Sequence, residues 1–342
     1  MLDLDYTFDT EKFEAQTELD ENRCLTDKCV TQASDILDKY GFVIIPDLLS
    51  SKEADQGMRI IKESINNPNR EKGTFASQTD IKYKRRDFCP LPSNNQVLSY
   101  SAMLCNRLEH VINKQCSQTS NILEISTLTT YLGASHQYIH SDPDNVLCMF
   151  AAVEDVTTEQ GGTVFIPSTH GDTKENKLRQ YMSLYKTFCN LGIFRYNLSR
   201  LIPAKNQIKP KISWKEFQKR VFSFNYDNHQ PNILRFITGK NPVFSISHLS
   251  PRALIYLIMN FKQIKEDFYT VKTTLKKGSV ILYRSEMLHA GPDNQSKKPR
   301  FFFSMSIARS PLTTKEWRGG YSPHSTLLDN PKMLGDLLAR QI

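Results

Sequence analysis

A histidine and an aspartate stand two positions apart in the segment Gln137-Tyr138-Ile139-His140-Ser141-Asp142. The segment follows a β-type run, and residues two apart on an extended chain point the same way. An imidazole and a carboxylate can therefore converge on one cation. A third ligand must come from elsewhere in the chain, and the candidate is His289. Two histidines and one carboxylate form a facial triad with open positions, which suits non-haem Fe(II) oxygen chemistry.

A second His-x-Asp pair, His170 and Asp172, competes with the first. It follows a Pro-Ser-Thr sequence in a predicted loop, which offers no rigid strand to hold a metal. The first pair follows a strand, and Pro143 restricts the backbone beside Asp142. At each position a histidine that is merely hydrogen-bonded remains the alternative. The context favours the pair at 140 and 142.

The segment from Arg300 to Ala308 alternates in character. One face is wholly apolar and is expected to pack under helices, whereas the mixed face is expected to line the inside of a barrel. The mixed face consists of Arg300, Phe302, Ser304, Ser306 and Ala308. An arginine inside a barrel needs an anion, and a carboxylate is its best bidentate partner. The alternative is an arginine on an edge strand in solvent.

Predicted helices and strands position these residues. Helices are expected over 28–39, 51–65, 96–114, 178–194, 214–222, 251–268 and 330–342, and strands over 42–46, 123–132, 146–153, 163–167, 271–275, 279–283 and 300–309. Residues 1–27 are expected to form a polar surface arm, and 67–95 are expected to be loops with one possible strand near 74–84. Many short strands with flanking helices predict a mainly β fold with a jelly-roll core.

The domain prediction is a single domain over residues 1–342. Its region 171–270 is basic, aromatic and helical in periodicity, unlike the strand-rich remainder. We interpret this region as a large helical insertion that covers the active site.

Composition indicates an ordinary globular protein, with 39% hydrophobic and 23% charged residues. The net charge of +8 is spread along the chain, and its tightest cluster is Lys82, Lys84, Arg85 and Arg86. That cluster is either a solvated basic face or an anion contact. Seven cysteines without a C-x-x-C pair indicate free thiols in a reducing compartment. An acidic start and the lack of a long apolar run predict a cytoplasmic protein with no membrane contact.

Four stretches of the chain share their order and spacing with one known family. They are Tyr40-Gly41-Phe42-Val43-Ile44-Ile45-Pro46-Asp47; Gln137-x-x-His140-x-Asp142; residues 154–170, which include Gly161-Gly162-Thr163-Val164-Phe165-Ile166-Pro167; and His289-x-Gly291-Pro292-x-Asn294 with Lys298-Pro299-Arg300. The match as a whole spans roughly residues 38–310, with gaps. The sequence resembles the phytanoyl-CoA dioxygenase family of Fe(II)- and 2-oxoglutarate-dependent oxygenases.

The resemblance implies a double-stranded β-helix core and a set of site residues. His140, Asp142 and His289 would be the catalytic Fe(II) ligands, and Arg300 would hold the distal carboxylate of 2-oxoglutarate, with O₂ as the second co-substrate. Further candidates for 2-oxoglutarate contacts are Gln137, Thr129 and Tyr131, with Thr127 as an alternative to Thr129.

Two positions bear on how the family pattern applies here. The family often has Ser or Thr two residues after the distal histidine, but this chain has Gly291, so another hydroxyl must serve or the contact is missing. Related iron halogenases have Gly or Ala in place of the carboxylate ligand. The carboxylate of Asp142 therefore favours oxidation of a C–H bond.

The expected reaction is hydroxylation, desaturation or oxidative cyclisation of a small molecule, with release of succinate and CO₂. Arg85, Arg86 and Arg309 are the expected contacts of an anionic metabolite, as in specialised-metabolite biosynthesis. A fatty acyl-CoA hydroxylase and a non-catalytic β-barrel binding module with a vestigial metal site are the alternatives. An oxygenase acting on nucleic acid or protein is disfavoured because no basic-aromatic stripe is present.

Overall fold

The computed structural model describes residues 6–70, 85–134, 136–142, 145–171, 176–199, 251–312, 327 and 331–340. The strands are β1 (Tyr6–Thr7), β2 (Phe42–Ile45), β3 (Arg86–Pro90), β4 (Ile122–Thr130), β5 (Val146–Ala152), β6 (Val164–Phe165), β7 (Thr270–Lys272), β8 (Val280–Arg284), β9 (His289–Ala290) and β10 (Arg300–Ala308). The helices are α1 (Asp27–Tyr40), α2 (Ser51–Asn66), α3 (Asn95–Arg107), α4 (Glu109–Asn113), α5 (Asn176–Ser199), α6 (Pro251–Asp267) and α7 (Leu334–Leu338).

The strands form two sheets that meet through aromatic side chains. The larger sheet has the order β2-β8-β5-β10-β4-β3 and is antiparallel, and the smaller has the order β1-β7-β6-β9. Phe165 of the smaller sheet contacts Phe42 and Tyr283 of the larger sheet, with ring centroids 4.5 and 5.3 Å apart. Two facing sheets with helices outside confirm the predicted mainly β fold of jelly-roll type.

The two faces of β10 pack as their alternation predicts. On the outer face, Phe303 contacts Tyr100 of α3, with ring centroids 4.8 Å apart. On the inner face, Phe302 stacks on Phe150 of β5 at 5.3 Å. The apolar face therefore lies under the helices, and the mixed face that begins with Arg300 looks toward the smaller sheet.

Two segments that the sequence assigns to loops and to a polar arm are part of the fold. Strand β3 lies within the region 67–95, and among the described strands it lies at the edge of the sheet and pairs only with β4. An edge strand with a short, polar sequence lacks the alternation that identifies strands. In the predicted arm, β1 pairs with β7 and Phe13 is completely buried. The possible strand near 74–84 lies outside the described residues.

Helices α5 and α6 belong to the predicted insertion and pack together against the smaller sheet. The hydroxyl of Tyr181 in α5 donates to Oδ1 of Asn260 in α6 at 3.1 Å. Ile193 and Ile264 of these helices are buried in one apolar cluster with Val164 and Ile166. The predicted helix over 214–222 lies outside the described residues. Among the helices that are described, none is long and apolar enough to cross a membrane.

The start of α2 is fixed by a capping box and an ion pair between the half-buried Glu53 and a buried arginine. Ser50 and Glu53 exchange the hydrogen bonds of the box, as their spacing predicts. Glu53 also pairs with Arg107 of α3, with an Oε1–Nη2 distance of 2.5 Å. Burial alone would raise the pKa of Glu53, but the hydrogen bonds from Arg107 and Ser50 lower it from its ordinary 4.5 to about 2.

We expect Glu53→Gln to lower the free energy of unfolding by roughly 1–3 kcal/mol at pH 7, the cost of losing a charge-assisted pair. Because the folded-state pKa is depressed, this contribution is fully present above pH 4.5 and is lost as the pH falls towards about 2. Urea unfolding at several pH values measures the difference between wild type and variant, which should shrink over that interval. Glu63→Gln, an exposed change on the same helix, is the control. A difference independent of pH would contradict the assignment.

Candidate metal centre

The backbones of His140 and His289 are joined by two hydrogen bonds. The N–H of His140 donates to the carbonyl of His289 at 3.0 Å, and the N–H of His289 donates to the carbonyl of His140 at 2.8 Å. This antiparallel bridge is isolated on the side of His140, because the regular strand β4 ends at Thr130. The pair at 140 and 142 is therefore held by a bridge and not by a continuous strand. The N–H of Asp142 donates to the carbonyl of Ser285 at 3.0 Å, beyond the end of β8.

The three predicted ligands converge on one point. Oδ2 of Asp142 lies 3.3 Å from Nε2 of His289, and Oδ1 lies 3.9 Å from Nε2 of His140. One ligand atom of each residue lies within 4.8 Å of the other two. Across the part of the chain that the structure describes, this is the one His/Cys/Asp/Glu group with such geometry.

The imidazole rings are oriented for ligation through Nε2. Nδ1 of His140 lies 2.7 Å from the carbonyl oxygen of Tyr138, and Nδ1 of His289 lies 2.9 Å from that of Met287. A carbonyl oxygen only accepts hydrogen bonds, so each Nδ1 carries the proton. Each Nε2 atom then faces the common point, as in metal sites whose histidines are oriented by backbone carbonyls.

The charges of the group also suit a cation. Burial lowers the pKa of His140 to about 4, and His289 acts in the same direction. Burial alone would raise the pKa of Asp142, but His289 and His140 lower it to about 2. Burial would lower the pKa of His289, yet Asp142 raises it above its ordinary value. At neutral pH the carboxylate is ionised and His140 is neutral, and these are the protonation states that ligation needs.

Arg300 is buried at the start of β10, next to a second buried arginine. Both Arg300 and Arg86 pair in register with Thr130 of β4, one from each side, so their side chains share a face of the sheet. Arg300 donates from Nη1 to the carbonyl oxygens of Gly161 and Gly162. Burial and the neighbouring Arg86 lower the pKa of Arg300 to about 9, although the charge of the buried Asp293 acts in the opposite direction. Two buried guanidinium groups side by side call for an anion between or beside them.

The sequence match agrees with this geometry. Residues 37–219, more than half of the chain, match the family described as phytanoyl-CoA dioxygenase (PhyH). The chain belongs to the phytanoyl-CoA dioxygenase family. The resemblance predicted from the four stretches is thereby confirmed, and so is the prediction of a dioxygenase. No curated protein matches the sequence.

Comparison with solved structures finds similar chains at low identity. The carbocyclase SnoK from nogalamycin biosynthesis is 12% identical with a TM-score of 0.46, covering 90% of this chain and 94% of its own. HygX from Streptomyces hygroscopicus, with nickel and 2-oxoglutarate bound, is 14% identical with a TM-score of 0.45, covering 85% and 94%. The epimerase SnoN from nogalamycin biosynthesis is 10% identical with a TM-score of 0.45, covering 82% of each chain. Likenesses this distant carry no argument about the substrate or reaction of this chain.

Gly291 departs from the family pattern for a packing reason. A Cβ atom added at Gly291 would lie 2.5 Å from Nη1 of Arg86 and 2.5 Å from Oε1 of Gln137. Nη2 of Arg86 donates to the carbonyls of Gly291 and Pro292 at 3.4 and 3.2 Å. In this member of the phytanoyl-CoA dioxygenase family, the Arg86 guanidinium occupies the space that a Ser or Thr side chain at 291 would need.

The remaining candidates for 2-oxoglutarate contacts lie in three different environments. Gln137 binds the segment after His289, since its Oε1 accepts from the N–H of Gly291 at 2.7 Å. Thr129 pairs with Phe301 and Asp87, on the opposite face of β4 from Arg300. Tyr131 lies near Asp87, which together with burial raises its pKa. The structure therefore brings Gln137 to the site but not Thr129 or Tyr131.

The arginines expected to contact an anionic substrate are dispersed. Nη1 of Arg85 donates to the carbonyl of Gly133 at 3.3 Å, and Arg309 pairs with Glu286 at 3.2 Å. Arg86 lies beside Arg300 instead. Lys82 and Lys84 lie outside the described residues. No common anion pocket forms among the described members of this group.

His170 lies apart from the metal centre, as the loop context predicts. Its Nε2 is 3.0 Å from the carbonyl oxygen of Asp38, and its ring fills the space above Gly41. Gly41 has a φ of +84°, and an added Cβ would lie 2.5 Å from Nδ1 of His170. His170 therefore packs against the end of α1. Asp172 lies outside the described residues.

Asn190 of α5 is a site residue that sequence analysis missed. Its Oδ1 accepts from the N–H of Ile139 at 2.7 Å, and its Nδ2 donates to the carbonyl of Ile139 at 3.2 Å. The side chain thus acts as a strand partner for the residue immediately before His140. An isolated asparagine in a helical sequence carries no signal of this role, because the contact depends on how α5 packs.

We expect His140→Ala and His289→Ala each to weaken binding of a divalent metal by at least 10-fold, because each removes one of three ligands. Titration with Co(II), followed by its visible absorption and by calorimetry, measures the affinity. His170→Ala is the matched control and should bind as wild type does. Loss of binding in His170→Ala with retention in His140→Ala would instead place the metal at the second His-x-Asp pair.

We expect Asn190→Ala to reduce metal affinity several-fold while leaving all three ligands in place, because the backbone before His140 loses its partner. Asn190→Asp retains the acceptor for the N–H of Ile139 and loses the donor, so its affinity should lie between those of wild type and the alanine variant. Equal Co(II) affinity in all three proteins would show that α5 does not position the site.

Proposed function

We propose that this chain is an Fe(II)- and 2-oxoglutarate-dependent dioxygenase that oxidises a C–H bond of a small metabolite. Hydroxylation, desaturation and oxidative cyclisation all fall within this proposal. The observation that carries it is the convergence of His140, Asp142 and His289, with both Nε2 atoms directed at one point. Membership of the phytanoyl-CoA dioxygenase family supports the same chemistry.

The donor set fits Fe(II). Two neutral imidazoles and one ionised carboxylate are the ligands that non-haem iron oxygenases use, and three ligands leave positions for small molecules. Bound iron would supply the oxidising chemistry, in which O₂ and 2-oxoglutarate are consumed and succinate and CO₂ are released. The protein holds the ligand atoms at fixed positions through the His140–His289 backbone bridge.

Arg300 is the proposed partner of the distal carboxylate of 2-oxoglutarate. It is 1% exposed, and the carbonyls of Gly161 and Gly162 hold one end of its guanidinium. Its Nε has no hydrogen-bond partner within the described residues. A carboxylate would satisfy this group and offset the repulsion from Arg86. We include Arg86 as a second cation at this end, where the family's hydroxyl at 291 is missing.

The charge of the primary substrate is left open by this proposal. An anionic metabolite was expected from Arg85, Arg86 and Arg309, but the first and last are bound to other groups and Arg86 lies at the co-substrate end. We further propose that α5 and α6, the described helices of the region 171–270, cover the site as part of a single domain; residues 172–175 and 200–250 lie outside the described residues. The support is that Asn190 of α5 accepts a hydrogen bond from the backbone N–H of Ile139, next to His140. In addition, the charge of the half-buried Lys186 of α5 lowers the pKa of His140.

The proposal is tested by Fe(II)-dependent conversion of 2-oxoglutarate to succinate, with and without candidate metabolites. His140→Ala should abolish succinate formation. Arg300→Ala should raise the KM for 2-oxoglutarate about 10- to 100-fold, because a charge-assisted bidentate contact is lost. Arg59→Ala, an exposed change on α2, should behave as wild type. Full turnover in His140→Ala would sink the proposal, and iron binding without turnover of any metabolite would favour a binding module.

A further inference from the structure

A row of polar side chains crosses the inner face of the larger sheet, six positions along β10 from Arg300. Ser306 of β10 pairs in register with Glu124 of β4 on one side and with Cys148 of β5 on the other. Cys148 in turn pairs with Tyr283 of β8. Directly paired residues point to the same face of a sheet, so these four side chains lie side by side on the face that Arg300 shares.

This row lies beside the metal centre and away from the co-substrate end. The ring centroid of Tyr283 is 5.3 Å from that of His289. The charge of Asp142 contributes to raising the pKa of Glu124, Cys148 and Tyr283. Arg300 is about 20 Å away along β10 at 3.4 Å per residue. If 2-oxoglutarate extends from the metal toward Arg300, the row borders the part of the interior that is left for the primary substrate.

Glu124 has no positive partner within the described residues. Its one described hydrogen-bond partner is Ser126, whose hydroxyl donates to Oε1 at 2.5 Å. Burial and the neighbouring charge of Asp142 together raise its pKa to about 7, against the lowering effect of the hydrogen bond from Ser126. The charge of Lys186 lowers the pKa of His140, but Lys186 is not among the groups that shift the pKa of Glu124. A carboxylate placed in an interior without a counter-charge is costly unless a ligand supplies one.

The partly exposed residues of β4 and β10 lie on the face that looks into the interior. On β4, Glu124 and Leu128 are half-buried while the other strand residues are buried, and on β10 only Ser306 is half-buried. These three residues share the inner face in the observed register. Glu124 and Ser306 are therefore accessible from the space between the sheets.

We infer that Glu124, with the hydroxyl of Ser306, forms a recognition subsite for an amine or ammonium group of the primary substrate. The inference rests on the proposed function, because it takes the metal centre and Arg300 to be the iron and 2-oxoglutarate sites. It reverses the substrate charge expected from the basic composition. Net charge describes the whole surface, whereas this subsite depends on one side chain inside the fold.

The test uses the full chain loaded with Mn(II) and 2-oxoglutarate and three probes of equal length: n-butylammonium, n-butanol and butyrate. Saturation-transfer NMR measures the binding of each probe whether or not metal is present. Relaxation of the probe by Mn(II) reports whether it lies near the metal centre. Wild type should prefer butylammonium over the other two probes, with relaxation that depends on Mn(II). Glu124→Gln should weaken butylammonium binding about 10-fold or more, as expected for loss of a charged partner.

Controls separate a recognition role from a structural one. Glu154→Gln removes another half-buried carboxylate, whose pKa is lowered by the charges of Lys62 and Lys298. This variant should bind the probe as wild type does. Mn(II) and 2-oxoglutarate affinities are measured in the same samples and should be unchanged in Glu124→Gln.

Each outcome decides for or against the subsite. Preference for butanol or butyrate in wild type overturns it even if Glu124→Gln fails to fold. Equal butylammonium binding in wild type and Glu124→Gln overturns it as well, and loss of Mn(II) binding in the variant would assign Glu124 a structural role. Failure of wild type to bind Mn(II) or 2-oxoglutarate would instead count against the proposed function, while the probe preference still tests the subsite.

Discussion

The pair of backbone hydrogen bonds between His140 and His289 is the constraint on which the metal centre depends. It joins two segments that are far apart in the sequence and fixes the distance between the two imidazoles. Backbone carbonyls two residues before each histidine then fix the ring orientations. The site is therefore organised by the protein itself, and a cation would enter a group whose ligand directions are already set.

The interior of the fold differs in charge between its two ends. Arg300 and Arg86 lie together at one end, and Glu124 lies at the other, with the His-Asp-His group near the latter. Such an arrangement distinguishes ligands by charge, since an anion is stabilised at one end and a cation at the other. In the proposed function, this difference would orient 2-oxoglutarate and the primary substrate on opposite sides of the metal.

Alternation and capping signals predicted the strands and helices that carry the site, because both are local. The alternating segment from 300 to 308 correctly predicted which of its faces looks inward, and Ser50 with Glu53 predicted the start of α2. The facing of β4 was not predictable in the same way. Its residues are polar and β-branched on both faces, so whether Thr127 and Thr129 face the interior depended on its register with β10.

The sequence by itself determined the family, the mainly β fold and the three ligand candidates, because these depend on residue order and spacing along the chain. Only the tertiary structure decided that β3 adds Arg86 beside Arg300, that Asn190 supports the segment before His140, and that Glu124 faces the interior with no cation beside it among the described residues. These facts depend on strand register and on helix packing, which bring together residues whose separation in sequence gives no sign of contact. A shift of one residue in the register of β3 or β4 would have turned Arg86 or Glu124 to the opposite face of the sheet.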